Sequence, residues 1–388
     1  MKRFSPLHQK GFTHVIALVV IVLIAAIGGT YYLVASHADS ATTNGYIVYQ
    51  KALPNNAPLQ TFFTLPTGGK QLSSTTSNFP WLNSNMQYSP DGAKMSYIEQ
   101  NGTGSSFLYV QKSSGTARVQ LPSHYYSPFS LAPWSKDGQW LAVELTTSVH
   151  TYPYTLAIMH PDGTAFKTIP NSSDSYADYE HASWSPDGQR LFYARHDGYN
   201  QLCSISITGT GKTCKTFTLP CTLDWALVSP DGTSVMLKGS SPVVNNYSSS
   251  CLYTAKTDGT GLTVVNKSSA FHIYQAAWSP DGKAIAYGYS MAANGQASTD
   301  NGLNVYTLST KSTSKIVSAV SVGSLTLGWM PVKAGAITAN LPTDVLSQLS
   351  IPKSAIRQTI PTPTPAPTPA PTTTPKSAIR QTIPTPAP

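Results

Sequence analysis

The sequence predicts an all-β fold: a six-bladed β-propeller of four-stranded blades, with an N-terminal transmembrane helix and a disordered Pro/Thr-rich C-terminal tail. Three observations predict it. A five-residue pattern recurs at nearly constant spacing through the middle of the chain. One apolar run lies near the front, and composition shifts sharply at both ends. The organisation read from these is a cytoplasmic segment 1–14, a membrane span 15–35, a propeller 45–338 and a tail 346–388.

The repeat carries the fold. The five copies are Tyr88-Ser-Pro-Asp-Gly92, Trp134-Ser-Lys-Asp-Gly138, Trp184-Ser-Pro-Asp-Gly188, Val228-Ser-Pro-Asp-Gly232 and Trp278-Ser-Pro-Asp-Gly282. Their serines are 46, 50, 44 and 50 residues apart, the length of a four-stranded blade. Each copy has one physical logic. An apolar stretch arrives, Pro presets φ, Asp bonds its own backbone, and Gly accepts a positive φ. A second strand then leaves, as in Ala284-Ile-Ala-Tyr287 and Leu191-Phe-Tyr193. Further on, Asp162-Gly163-Thr164 and Asp258-Gly259-Thr260 follow apolar runs and mark a second hairpin.

This pattern resembles the WD-like repeat of TolB-like propellers, whose hallmark is Trp-Ser-Pro-Asp-Gly followed by an apolar strand. The resemblance covers about residues 45–335. It departs at Lys136, which replaces Pro, and at Val228, which replaces Trp.

Five units leave material at both ends. Tyr46–Tyr49, Gln60–Thr64 and Gln71-Leu72 read as the last three strands of a blade, and Ser324–Pro331 as a first strand with a decayed Trp-Ser-Pro. Joined, they make a sixth blade and close the ring, which leaves no open sheet edge there. Seven blades is the alternative count.

Val15–Ala35 contains no charged residue and is long enough, at about 30 Å as a helix, to cross a bilayer. Lys2, Arg3 and Lys10 precede it, and no further Lys or Arg appears until Lys51. The positive-inside bias then places the propeller outside. A cleavable signal ending near Ser36-His37-Ala38 is the rival, but the run exceeds the usual length. Lys10-Gly11-Phe12-Thr13 looks like a prepilin processing site, yet the expected acid downstream is missing.

Charge narrows the partners. All 17 acidic residues lie within 39–345, and so do 18 of the 25 basic ones, so the overall +8 comes from the two ends. A nucleic-acid binder needs a basic patch on its folded part, and nothing indicates one.

Candidate sites follow from placement. Asp91, Asp137, Asp187, Asp231 and Asp281 belong to different blades and read as turn structure rather than as metal ligands. No metal or cofactor is expected. The four cysteines, an even number in an exported chain, point to disulfides. Cys203 and Cys214 flank a hairpin turn that sets them opposite one another, which leaves Cys221 with Cys251; four free thiols is the alternative. Gly209-Thr-Gly-Lys-Thr213 lacks the first glycine and the helix of a phosphate loop. Gly288-Tyr-Ser290-Met-Ala292 lacks the context of a nucleophile elbow.

The binding candidates lie on the innermost strands. Ala132, Ala182, Ala226 and Ala276, three residues before the repeat serines, are small, consistent with crowding at the axis. Just upstream stand Glu180, His181, Asp224, Trp225, His272 and Tyr274, residues that suit a channel mouth binding a cationic peptide or a sugar. The bland reading is that they pack between blades. In the tail, Pro352–Pro361 recurs as Pro375–Pro384 amid Pro and Thr, a composition favouring extended chain. Together these predict a membrane-anchored binding or scaffold module, not an enzyme, for an envelope protein or glycan. The alternative is a glycan hydrolase or lyase using Glu180 and Asp224 as paired carboxylates.

Overall fold

The computed structural model describes residues 45–348, apart from 54–56, 70, 75–85, 101–104, 123–130, 146–153, 174–176, 196–199, 241–249, 267–270, 294–295, 319–326 and 333–339. The span read at 15–35 and the tail from 349 onward lie outside the described residues. Among those described, no helix is long and apolar enough to cross a membrane.

Six antiparallel sheets form the ring, five of four strands and one of three. Blades 1 to 5 follow chain order and begin at the five repeats. In blade 3, for example, Ala177–Trp184 lies innermost, followed outward by Arg190–Arg195, Gln201–Ser206 and Thr213–Thr216. Blade 4 is built in the same way from Thr222–Val228, Ser234–Ser240, Ser250–Lys256 and Thr263–Asn266. The sixth blade joins both ends of the domain. Its inner strand, Leu327–Met330, pairs antiparallel with Tyr46–Leu53, and Ala57–Thr64 and Leu72–Ser74 lie outside. The count and the closure are those expected.

Blade 2 differs from the four-stranded expectation. Among its described residues the innermost position is held by a single bridge, Trp134 to Leu141. Pro133 sits beside that bridge with no N–H to give a ladder, and contributes only its carbonyl, which accepts the Ala142 N–H at 3.0 Å.

The repeat turn is a small hydrogen-bonded device. In every copy the Gly N–H returns to the Ser carbonyl at 2.7–2.9 Å. The Ser hydroxyl donates to the Asp carboxylate at 2.5–2.6 Å. It also accepts a backbone N–H from five residues on at 2.9–3.0 Å. The glycines have φ between 68° and 75°, which a side chain would strain.

Apolar side chains from adjacent blades mesh into six buried clusters, one at each seam. At the seam of blades 6 and 1, Tyr46, Val48 and Met330 meet Met95 and Tyr97. A short helix, Thr343–Gln348, adds Val345 to the same cluster. The sequence reading stopped the domain at 338 and began the tail at 346, so this helix carries packed chain past both boundaries. Its Gln348 carboxamide binds both edge groups of Ser73, accepting from N–H at 3.1 Å and donating to C=O at 2.6 Å.

Both disulfides are those expected. Cys203 and Cys214 stand directly opposite in the outer hairpin of blade 3. Cys221, immediately before the first strand of blade 4, is joined to Cys251 in the third across the second. Gly239 lies beneath that crossing, where a Cβ would fall 2.7 and 2.9 Å from the two sulfurs.

Candidate functional site

The six inner strands run toward the repeat turns, and near that end they enclose a cavity of about 550 Å³. The positions just before the repeat serines ring it: Tyr88, Trp134, Trp184, Val228, Trp278 and, in the closing blade, Trp329. Three of these indoles reach back to the preceding blade. Trp134 donates to the Gln87 carbonyl at 3.1 Å, Trp184 to Pro133 at 3.0 Å and Trp278 to Leu227 at 2.9 Å. Val228 has no indole. There the Ser183 hydroxyl supplies the link, accepting the Val228 N–H at 3.0 Å. The aromatic ring therefore both lines the cavity and ties blade to blade.

Below the aromatics lies a second ring, formed by Pro90, Lys136, Pro186, Pro230, Pro280 and Pro331. Each turn leans on the one before. A Cβ on Gly232 would meet Pro186 at 2.5 Å, one on Gly92 the Pro331 carbonyl at 2.0 Å, and one on Gly138 Pro90 at 3.7 Å. One on Gly282 would meet the Asp231 carboxyl at 3.3 Å, whereas at Gly188 nothing lies within 4 Å. The turn before Gly188 carries an exposed Lys136 where the others carry proline.

Of the turn aspartates, Asp231 and Asp281 line the cavity. Each is committed to its own turn. The Ser135 hydroxyl and the Gln139 N–H hold the Asp137 carboxyl below the usual carboxylate range, and Ser185 and Gln189 do the same for Asp187. Burial works upward on Asp231, but hydrogen bonds from Ser229 and Thr233 outweigh it and lower its pKa. Such groups stay ionised and act as acceptors. Among the described residues no group of three His, Cys, Asp or Glu is disposed to hold a metal ion.

The residues singled out as a channel mouth occupy the other, upstream end of the inner strands, away from this cavity. All three strands that carry them are irregular there. Register slips between Asp178 and Ser183, between Leu223 and Trp225, and between Ile273 and Ala276. Glu180, Asp224 and Tyr274, each five residues before a repeat serine, fall inside the three slips. A bulge re-aims a side chain and interrupts pairing. His181 and Trp225 stack with ring centres 5.0 Å apart, and they are only 9% and 6% exposed. Trp225 packs into the seam of blades 4 and 5. Asp224 is ion-paired with Lys238 and accepts the Ser240 hydroxyl at 2.5 Å. His272 is half-buried and pairs with Ser290 across the sheet. Ser290 itself lies within a strand paired on both sides, which is not the setting of an elbow.

Sequence reasoning missed the cavity. The signal was present, since six turns around one rim bring their prolines together, but the repeat residues had been assigned to scaffold alone.

These features define a closed six-bladed propeller with a small aromatic channel cavity. Its fold is that of the TolB-like propellers. The chain is similar to TolB from Acinetobacter baumannii, at 16% identity over 74% of this chain and 67% of that one, with a TM-score of 0.53. A chain of a nidogen/laminin complex aligns over 74% of this chain and 99% of its own, at 7% identity and a TM-score of 0.50. Putative TolB from Agrobacterium tumefaciens aligns over 73% and 96%, at 14% identity and a TM-score of 0.48. No family model and no curated protein matches the sequence.

Proposed function

We propose that the chain is a membrane-anchored, extracytoplasmic binding or scaffold module that holds an envelope protein or glycan at its central channel. The observation that carries this reading is the cavity. Its 550 Å³ lies within the range of small-ligand sites, and five aromatic side chains and six prolines line it beside Lys136, Asp231 and Asp281. Lys136 gives it one cationic corner.

The two disulfides support an oxidising, extracytoplasmic location. The uncharged run 15–35 with basic residues on one side supports the anchor. The rival reading, a glycan hydrolase or lyase, rests on Glu180 and Asp224, and Asp224 is already engaged by Lys238 and Ser240.

The test is capture of envelope proteins and glycans by the full chain in detergent, beside Lys136→Glu and an Asp224→Asn/His181→Ala double variant. Loss of a specific ligand with Lys136→Glu places binding in the cavity. Loss with the double variant alone moves it to the upstream mouth. Release of glycan products by the unmodified chain, abolished by Asp224→Asn, overturns the binding reading in favour of the enzyme.

A further inference from the structure

We infer that the face of the ring carrying the repeat turns is the membrane-facing side of the propeller, so that the channel cavity opens toward a lipid surface. The inference rests on the anchor proposed above and on where the chain enters the ring. Tyr46 pairs with Met330, the last residue of the closing inner strand. Gly45 is fixed at that point, with φ +70° and a Cβ position only 2.0 Å from the Met330 carbonyl. The next residue, Pro331, belongs to the prolyl rim and touches Gly92 of the blade 1 turn. The chain therefore joins the domain on the turn face.

Nine residues, 36–44, separate the apolar run from Gly45. Stretched end to end, the ten Cα–Cα steps from Ala35 to Gly45 reach about 33–36 Å, against a relaxed span of about 17 Å. Turning the opposite face to the bilayer requires passing two outer strands of blade 6, about 10 Å, and the depth of an eight-residue strand, about 26 Å. Only a linker pulled to its limit, about twice its relaxed span, would reach past both. The turn face is thus held near the bilayer, and the bulged mouth with Asp224 and the His181–Trp225 pair is turned away from it. A ligand for the cavity must come from the membrane side, such as an extended segment close to the surface of the same bilayer.

The test uses the full chain in phospholipid vesicles containing an acceptor-labelled headgroup lipid. All four native cysteines are paired, so a dye can be placed on one introduced thiol. Gln139→Cys marks the turn face, and Thr218→Cys, an exposed site in the connection between blades 3 and 4, marks the opposite one. Energy transfer to the lipid should be at least twofold greater from position 139. Equal transfer, or greater transfer from 218, in protein that floats with the vesicles overturns the orientation and leaves the anchor standing. Failure of the unlabelled chain to float removes the anchor, and the orientation with it. A long flexible Gly/Ser insertion after residue 39 should abolish the difference between the two labels.

Discussion

The two ends of the inner strands differ in kind. Toward the repeat turns the blades follow one plan: a Ser-Asp hydrogen bond, a glycine leaning on the previous turn, and an indole bonded to the preceding blade. Toward the other end, register slips in the inner strands of blades 3, 4 and 5, and Asp224 is taken up by Lys238 and Ser240. Regularity belongs to the end that must fit its neighbours all the way around. The opposite end is free to vary because each blade solves its own packing. Within the regular end, the plan lapses at the turn of Lys136, the one lysine among the residues lining the cavity.

This contrast can be broken deliberately. Stopping the chain before Leu327 removes the regular end from one blade, and cooperative unfolding by circular dichroism should disappear, since the ring can no longer close. Retention of a normal transition would mean the blades stand independently. Trp278→Ala empties a buried site and orphans the Leu227 carbonyl, and should cost about 3–5 kcal/mol in chemical denaturation. His181→Ala, at the irregular end, loses one aromatic partner and should cost about 1–2 kcal/mol. A larger loss from His181 than from Trp278 would reverse the assignment of scaffold and variable ends.

Ser185→Ala removes one turn hydroxyl and should cost about 1 kcal/mol at neutral pH. It should also change the response to acid. Asp187 has a lowered pKa in the folded state, so its contribution is present above the ordinary carboxylate value, near pH 4, and is lost as pH falls through the lowered one. Without the serine that loss shrinks, and stability measured between pH 5 and 2 should fall less steeply than in the parent. The smallest effect is a gain. Lys136→Pro restores the residue used by the other repeat turns and should add about 0.5–1 kcal/mol, read as a higher denaturation midpoint.

Much of this was legible in the sequence because turns and pairings are local. Gly after Asp demands a tight turn, and five such turns at blade spacing define the ring. Cys203 and Cys214 could be matched because a hairpin fixes its own register. The closing blade was legible because two partial units, at opposite ends, lacked complementary strands. What could not be read depends on distant groups meeting. Gly239 looks like an ordinary strand residue until the bridge over it is seen. The helix Thr343–Gln348 is too short to show periodicity, and its purpose lies in a strand some 270 residues earlier, where Gln348 meets Ser73 at a separation of 275.

Closure within one blade also decides how the domain carries tension. Both attachment points belong to blade 6, with the chain entering at Gly45 and leaving beyond Gln348. A pull between them is borne first by the Gln348 and Asp344 contacts with Ser73 and Ser74, then by four residue pairs between Tyr46–Tyr49 and Leu327–Met330. The Asn340 amide on the Asp91 carbonyl, and Leu341 and Val345 packed with Met95 and Tyr97, pass part of that load to blade 1.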